Sequence, residues 1–300
     1  MTTTLAVGGN TARSPTVVPP PRAPNRIAQR LTGRPYLSHS QLSLMRSCPR
    51  RFAFQYIEQV PKDFLPSSLV FGGSIHSALE LFFRCQLEGL GVTRPAMLSA
   101  YHDAWRRQCA EAGSAVPVRF NKTEDIDKLH ALADRMIGAF LASPLCQPKG
   151  TIVGIEEELR VVLDPQLPDL LAKVDLVTQT DGSLHIIDFK TSRSSWNEQK
   201  AEESADQLVL YGMTLGKMSR SLGLPVKLHF AVLTKHKAPR VQLLPVPNDE
   251  QRITVLRESV AQVWQAIQSG NFYPSPSPQQ CTICPFRSRC PVFAHSGERK

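Results

Sequence analysis

The apolar positions of this chain change period along its length, and the change divides it into parts. Ser38 or Ser40 can cap a helix through Leu42, Leu44, Met45 and Cys48, and a second helical run beyond Pro49 carries Phe52, Phe54, Tyr56 and Ile57. Between Gly73 and Leu87, the positions Ile75, Leu79, Phe82 and Phe83 form one buried face of a helix, with His76 and Glu80 one turn apart on it. Further helical patterns at about 96–112 and 123–142 complete a helical lobe expected over about 73–145. From Thr151 the period falls to two, which predicts strands over 152–163, 170–180 and 184–191, the last two joined by an Asp181-Gly182 turn. A helix over about 200–222, strands over 226–233 and 241–244, and an amphipathic helix over about 249–269 follow, so a sheet is expected within about 151–245.

The strand at 184–191 is apolar on both faces, as a central strand covered on both sides must be. Leu184 and Ile186 share a face with Asp188 and Lys190, while Ile187 and Phe189 point the other way. A carboxylate and an ammonium in such a strand need a reason.

Composition changes the picture in two places. The chain has 300 residues, enough to bury a large core without disulfides, and its seven cysteines are an odd number. No amino-terminal stretch reads as a signal peptide and no run is apolar enough to span a bilayer, so a reducing, cytoplasmic setting with cysteines free for metal is expected. The net charge is +9, but no Asp or Glu precedes Glu58, and eight arginines before it leave only +1 for the remainder. Residues 1–35, with Pro19-Pro20-Pro21, are expected to be a disordered Arg/Pro-rich leader, either a solvated tail or an arm that tracks phosphates. A single folded domain is expected over 36–300.

Asp188-Phe189-Lys190 puts carboxylate and ammonium on one side of a strand, and a hairpin with the preceding strand could bring Asp175 close enough to share a divalent cation with Asp188. Lys190 could then orient an attacking water and stabilise charge that builds on a phosphate. An Asp-x-Lys triplet alone is common, and an ion pair at a strand end accounts for it equally well. Gln207 and Tyr211, four residues apart on the next helix, have polar ends on one face. His76 is either a satisfied core histidine or a further ligand. Glu156 and Glu158 lie on the first strand, each either solvent-facing or part of the same site.

The succession Gly-x-x-His on a helix, Asp in a strand, Asp-x-Lys in the next strand and Gln-x-x-x-Tyr on a helix resembles the PD-(D/E)xK nuclease superfamily, in its RecB-like branch. The resemblance implies an α/β fold, a restriction-endonuclease-like mixed sheet flanked by helices, with a helical insertion. It implies catalytic roles for Asp175, Asp188, Lys190, Gln207 and Tyr211, and magnesium or manganese held by His76, Asp175 and Asp188. The activity implied is that of a DNA exonuclease acting at single-stranded ends in repair, recombination or CRISPR spacer acquisition. A helicase or a CRISPR adaptation protein is the implied kind of partner. Ala172 stands where the family usually has Gly, which changes packing and leaves the chemistry alone. The competing expectation is a non-catalytic DNA-binding or scaffold module with a nuclease-like core, against which the intact residue set argues.

Cys281-x2-Cys284-x5-Cys290, with Cys48 as a remote fourth, offers thiolates either to zinc or to an iron-sulfur cluster. A triplet plus one distant partner is unusual for zinc, and Cys48, Cys284 and Cys290 are each followed by Pro. The pattern is similar to the iron-sulfur staple of AddB-type and CRISPR-associated RecB-like exonucleases. That likeness implies a 4Fe-4S cluster on Cys48, Cys281, Cys284 and Cys290, with the carboxyl-terminal cluster segment at about 278–293. Cys85, Cys109 and Cys146 lack ligand spacing and are expected to be incidental thiols.

Overall fold

A computed structural model describes residues 25–294, the side chains of 217, 218 and 294 excepted. Residues 1–24, the greater part of the expected leader, lie outside the described residues. The expected order from Tyr36 begins ten residues earlier, with helix α1 (Arg26–Thr32). Asn25 caps it through Ala28 N–H, Gly33 closes it at φ 69°, and Ala28 and Thr32 are buried. Two caps and two small buried residues order this turn without the broad apolar face that would have marked it.

Strand β1 (Tyr36–Ser38) leads directly into α2 (His39–Ser47), which opens with a reciprocal capping box between Ser38 and Gln41. Pro49 starts α3 (Pro49–Phe52), and the chain then widens into a turn with Glu58 N–H bonded to Ala53 O. A short strand β2 (Leu65–Pro66) precedes α4 (Ser67–Leu87), which begins six residues before the expected Gly73. Then come α5 (Arg94–Ala112), β3 (Val118–Arg119) and α6 (Ile126–Leu141), so the helical lobe forms as the period predicts. The sheet follows with β4 (Thr151–Val161), β5 (Asp169–Thr180) and β6 (Ser183–Ser192). The single helix expected near 200–222 is two, α7 (Glu198–Glu203) and α8 (Asp206–Leu222). Strands β7 (Val226–Thr234) and β8 (Val241–Val246), helix α9 (Glu250–Gln268) and the short α10 (Pro278–Thr282) and α11 (Pro291–Ala294) complete the described chain.

The main sheet is mixed, as expected. Its order is β1-β5-β6-β7-β8, with β4 antiparallel on the other edge of β5. One face packs on α2, α8 and α9 through residues such as Ile186, Phe230, Leu208 and Trp264. The other packs on α4, α5 and α6 through Ile187, Phe189, Phe83 and Phe140. Strand β6 therefore contributes Ile186 to one core and Ile187 and Phe189 to the other, which is why it reads as apolar on both faces.

The sheet forks at its centre. The antiparallel β5–β6 ladder runs from Thr180↔Ser183 to Leu176↔Ile187 and stops there. Beyond that point β6 continues beside β7 in parallel, Asp188 facing Phe230 and Lys190 facing Val232. Because β4 already covers the far edge of β5, β1 pairs with the edge that β6 has left, at Tyr36↔Asp169 to Ser38↔Leu171. A gap between two diverging strands is thus built into the middle of the sheet.

Candidate active site

The fork gathers most of the residues singled out by sequence. Asp175 lies on β5 one residue before the ladder ends, and its Oδ2 accepts the Phe189 backbone N–H at 2.7 Å. Asp188 and Lys190 follow on β6, with Lys190 Nζ 2.7 Å from Asp188 Oδ2 and 2.6 Å from Gln207 Oε1. Gln207 in turn donates from Nε2 to Tyr211 Oη at 2.5 Å, so α8 presents both groups to β6 as its four-residue spacing requires. His76 reaches in from α4, its Nδ1 3.4 Å from Asp175 Oδ1.

Two backbone features aim these groups. Leu170, Ala172 and Val174 of β5 face the α8 side, whereas Leu176 faces the α4 side, so the strand changes phase at Asp175. Its partner β4 does the same, with Ile155 on the α4 side and Leu159 and Val161 on the other. The residue at the crossing on β4 is Glu156, whose φ of 52° is a left-handed conformation that a non-glycine residue adopts at a cost of about 1–3 kcal/mol. A local inversion of this kind turns a side chain out of the sheet's alternation. On α4, a Cβ on Gly73 would meet Gln108 Oε1 at 2.7 Å, and Gln108 is held by Val70 O and Ser74 Oγ. Gly73 thus lets α5 approach the turn of α4 that carries His76.

The inversion separates the two acidic residues left open on the first strand. Glu158 is exposed. Glu156 joins His76 and Asp175 in a group whose ligand atoms all lie within 4.8 Å of one another. Its charge is balanced by Lys173, with Nζ 2.6 Å from Glu156 Oε2, a residue for which the sequence offered no role. Asp188 is not within that group among the described residues.

The electrostatics are those of buried acids around a positive centre. Burial pushes the Asp188 carboxyl up to about 6, against the pull of Lys190 and with the help of Asp175. Burial acts on Asp175 in the same sense, but the His76 imidazolium, the Phe189 amide and Lys190 outweigh it and hold that carboxyl below its usual range. Burial opposes the charge on His76, yet Asp175 prevails and carries the imidazole up to about 9. Glu156 is raised, by burial first and Asp175 second. Asp188 Oδ2 is buried and meets Lys190 Nζ at 2.7 Å. The ligand atoms of His76, Glu156 and Asp175 gather close by, and a cluster of oxygen and nitrogen ligands of this kind suits a hard divalent cation. His39, the first residue of α2 behind β1, is also near Lys190. Burial, with Lys190 and Arg46, brings its pKa down to about 4, so it adds a neutral imidazole to the rim.

All four cysteines singled out by sequence line one cavity, together with Arg50, Arg51, Arg287 and Phe54. The carboxyl-terminal segment docks on the α3 region through Arg50 N–H to Tyr273 O, Asp63 N–H to Pro285 O, and the Phe54–Phe286 ring contact. Burial, with Cys48 and Cys290 nearby, pushes the Cys284 thiol up. Among the described residues, no three of these sulfurs lie within 4.8 Å of one another. Cys109 and Cys146 pack against the α4–α6 core, away from this cavity.

A mixed sheet forked around Asp, Asp and Lys, with Gln and Tyr presented from the following helix, defines a nuclease-like fold. The chain matches the PD-(D/E)XK nuclease superfamily over residues 36–291, and it belongs to that superfamily. It is 25% identical over 283 residues to the Gene 69 protein of Mycobacterium phage D29, a match covering 86% of this chain and 97% of the phage protein. Its fold is similar to that of a proposed exonuclease from Eubacterium rectale, with a TM-score of 0.54, 12% identity, and coverage of 88% of this chain and 90% of that one. No described helix is long and apolar enough to cross a membrane.

Proposed function

We propose that this chain is a divalent-metal-dependent deoxyribonuclease of the RecB-like kind that hydrolyses phosphodiester bonds at single-stranded DNA ends. The observation that carries the reading is the fork itself, where His76, Glu156 and Asp175 form one ligand group beside Asp188 and Lys190. His76, Asp175 and Asp188 would hold magnesium or manganese, with Glu156 added by the geometry. A bound ion would supply Lewis-acid polarisation of a phosphate oxygen. To hold the ion His76 would have to be neutral, so metal binding would release a proton from its pairing with Asp175.

The remaining steps belong to the chain's own groups. Lys190 Nζ, fixed between Asp188 and Gln207, orients a water toward phosphorus and offsets the negative charge that grows on the phosphate. Gln207 is fixed by Tyr211, whose hydroxyl burial keeps protonated far above neutral pH. The water adds to phosphorus, one ester P–O bond breaks, and the leaving oxygen takes up a proton as a hydroxyl.

A 4Fe-4S cluster on Cys48, Cys281, Cys284 and Cys290 is part of the same proposal. Support comes from the shared cavity that all four cysteines line. Arg50, Arg51 and Arg287 line the same cavity and would offset the negative charge of such a centre. Such a centre would close a loop of more than two hundred residues between α2 and the carboxyl-terminal segment.

The deciding experiment is anaerobic purification, a visible spectrum with iron and zinc analysis, and cleavage of end-labelled oligonucleotides with magnesium, manganese or EDTA. A brown protein with iron near four per chain, shortening linear single strands only with divalent metal, is expected. Equal cutting of circular single strands would make it an endonuclease. No cutting with either metal would favour the scaffold reading, and stoichiometric zinc without iron would remove the cluster.

A further inference from the structure

The nuclease reading accounts for the fork but not for a basic pocket beyond it. Where β6 and β7 end side by side, a pocket opens between the strand ends and α6. Lys128, Arg135, Arg193, Lys235 and Lys237 line it together with Glu124, and Asp125 pairs with Lys128 at 2.6 Å. The chain from residue 58 onward sums to only +1, so this concentration of positive charge is local rather than a sample of the average.

The pocket is attached to the site. Arg193 follows Lys190 by three residues, one past the end of β6, and Lys235 follows Val232, the partner of Lys190 across the parallel ladder, by three, one past the end of β7. At roughly 3.3 Å per residue, both lie about 10 Å past the proposed catalytic lysine. Lys235 is anchored by its N–H to Ser192 O at 2.6 Å, and its ammonium stands 4.5 Å above the ring of Phe71, on the helix that carries His76. Burial lowers its pKa and leaves a partly desolvated cation facing the pocket. Glu124 accepts from Ser67, Asn121 and Arg193, which holds Arg193 in place and offsets part of its charge. Arg135 and Lys237 are exposed on the rim.

We infer that this pocket holds the backbone phosphates of the DNA strand a few nucleotides from the scissile bond, and so sets how the strand lies across the fork. The inference rests on the nuclease reading but reads out separately from it. Full-length Lys190→Ala protein serves as the background, so that binding of a fluorescent single-stranded oligonucleotide is measured without cleavage. Removing Arg135 and Lys237 together in that background should weaken binding several-fold and flatten the plot of log affinity against log salt by about 1.4, since each lost contact on a single strand removes about 0.7. Lys149→Ala with Lys227→Ala, two exposed lysines toward the opposite end of the sheet, should leave the slope unchanged. Coincident slopes for the pocket variant and its background, or an equal flattening by the Lys149 and Lys227 pair, would overturn the inference. A wild-type protein that cleaves nothing, while the pocket variant still changes the slope, would sink the nuclease reading and leave the phosphate site standing.

Discussion

The amide of Phe189 donates to Asp175 Oδ2 at 2.7 Å, in place of the Val174 carbonyl that a continued β5–β6 register would offer. A side chain thereby takes over a ladder hydrogen bond, and the strands are free to part. The same carboxylate meets His76 through its other oxygen, so one residue both ends the ladder and opens the site.

This double role separates two substitutions. Asp175→Asn keeps an acceptor for the Phe189 amide and should leave the urea midpoint nearly unchanged while abolishing cleavage. Asp175→Ala leaves a buried N–H without its partner, a loss of about 1–3 kcal/mol in the same melts. Equal stability of the two variants would mean that the strand ends are held apart by something else.

Lys190 carries the sharpest activity prediction. Lys190→Ala should reduce oligonucleotide cleavage by about a hundredfold or more, because it removes the group placed to offset transition-state charge. The fold should persist, since Lys190 is partly exposed and stands at the mouth of the fork. A protein with near wild-type cleavage after this change would move the catalytic centre away from β6.

What the sequence shows and hides follows from the length of each signal. Strand β6 was legible because ten residues alternate between two cores, and α8 was legible through the four-residue spacing of Gln207 and Tyr211. Strand β1 has three residues, too few for a period, although it fills the edge of β5 that β6 leaves and brings His39 toward Lys190. The phase inversion at Glu156 and Asp175 is a tertiary property of two strands, and no one-strand pattern can announce it. That is why Glu156 and Glu158 looked alike in sequence and differ in place.

Glu156 and Glu158 therefore make a matched pair for metal binding. Glu156→Gln should weaken manganese binding, measured by calorimetry in the absence of DNA, by about tenfold or more, the scale seen when a group supporting a metal site is lost. Glu158→Gln should match wild type, its side chain being exposed on the same strand. Identical isotherms for both variants would return Glu156 to a structural role beside Lys173.

The cysteine cavity predicts an order of events. Cys48→Ala should lose iron and thermal stability first, with cleavage falling as a consequence, because Cys48 is the proposed ligand that would tie α2 to the carboxyl-terminal segment. Cys109→Ala, away from the cavity, should keep its iron. Full iron content in Cys48→Ala protein would leave the cluster to other ligands.

Acid sensitivity should come from the other end of the sheet. His185 on β6, in register with Lys227, and His229 on β7, in register with Ile187, meet diagonally across the ladder, their rings stacked 5.3 Å apart, with Nδ1 of His185 3.1 Å from Nε2 of His229. The second nitrogen of His185 contacts Ser183 Oγ at 2.8 Å, while Nδ1 of His229 is buried without a partner. Burial, and then Lys227, lowers the pKa of His185. His229 is brought down to about 4 by burial, then by His185 and Lys227. Both rings are therefore neutral in the folded chain at a pH where the unfolded chain, with histidines near 6.5, already binds protons. Folding stability from this pair is whole above about pH 6.5, declines as the pH falls through the interval below it, and is gone by about 4, where His229 itself protonates in the fold. Carboxyls lowered in the fold, such as Asp175 and Glu124, add a loss in the same direction and the raised Asp188 and Glu156 oppose it, so the comparison must be with a protein that lacks the pair. Urea midpoints of wild type and of His185→Gln with His229→Gln, taken at pH 7.5, 6.5, 5.5 and 4.5, should converge as the pH drops, with wild type falling more steeply. Parallel curves would show that the two imidazoles contribute nothing to the acid response.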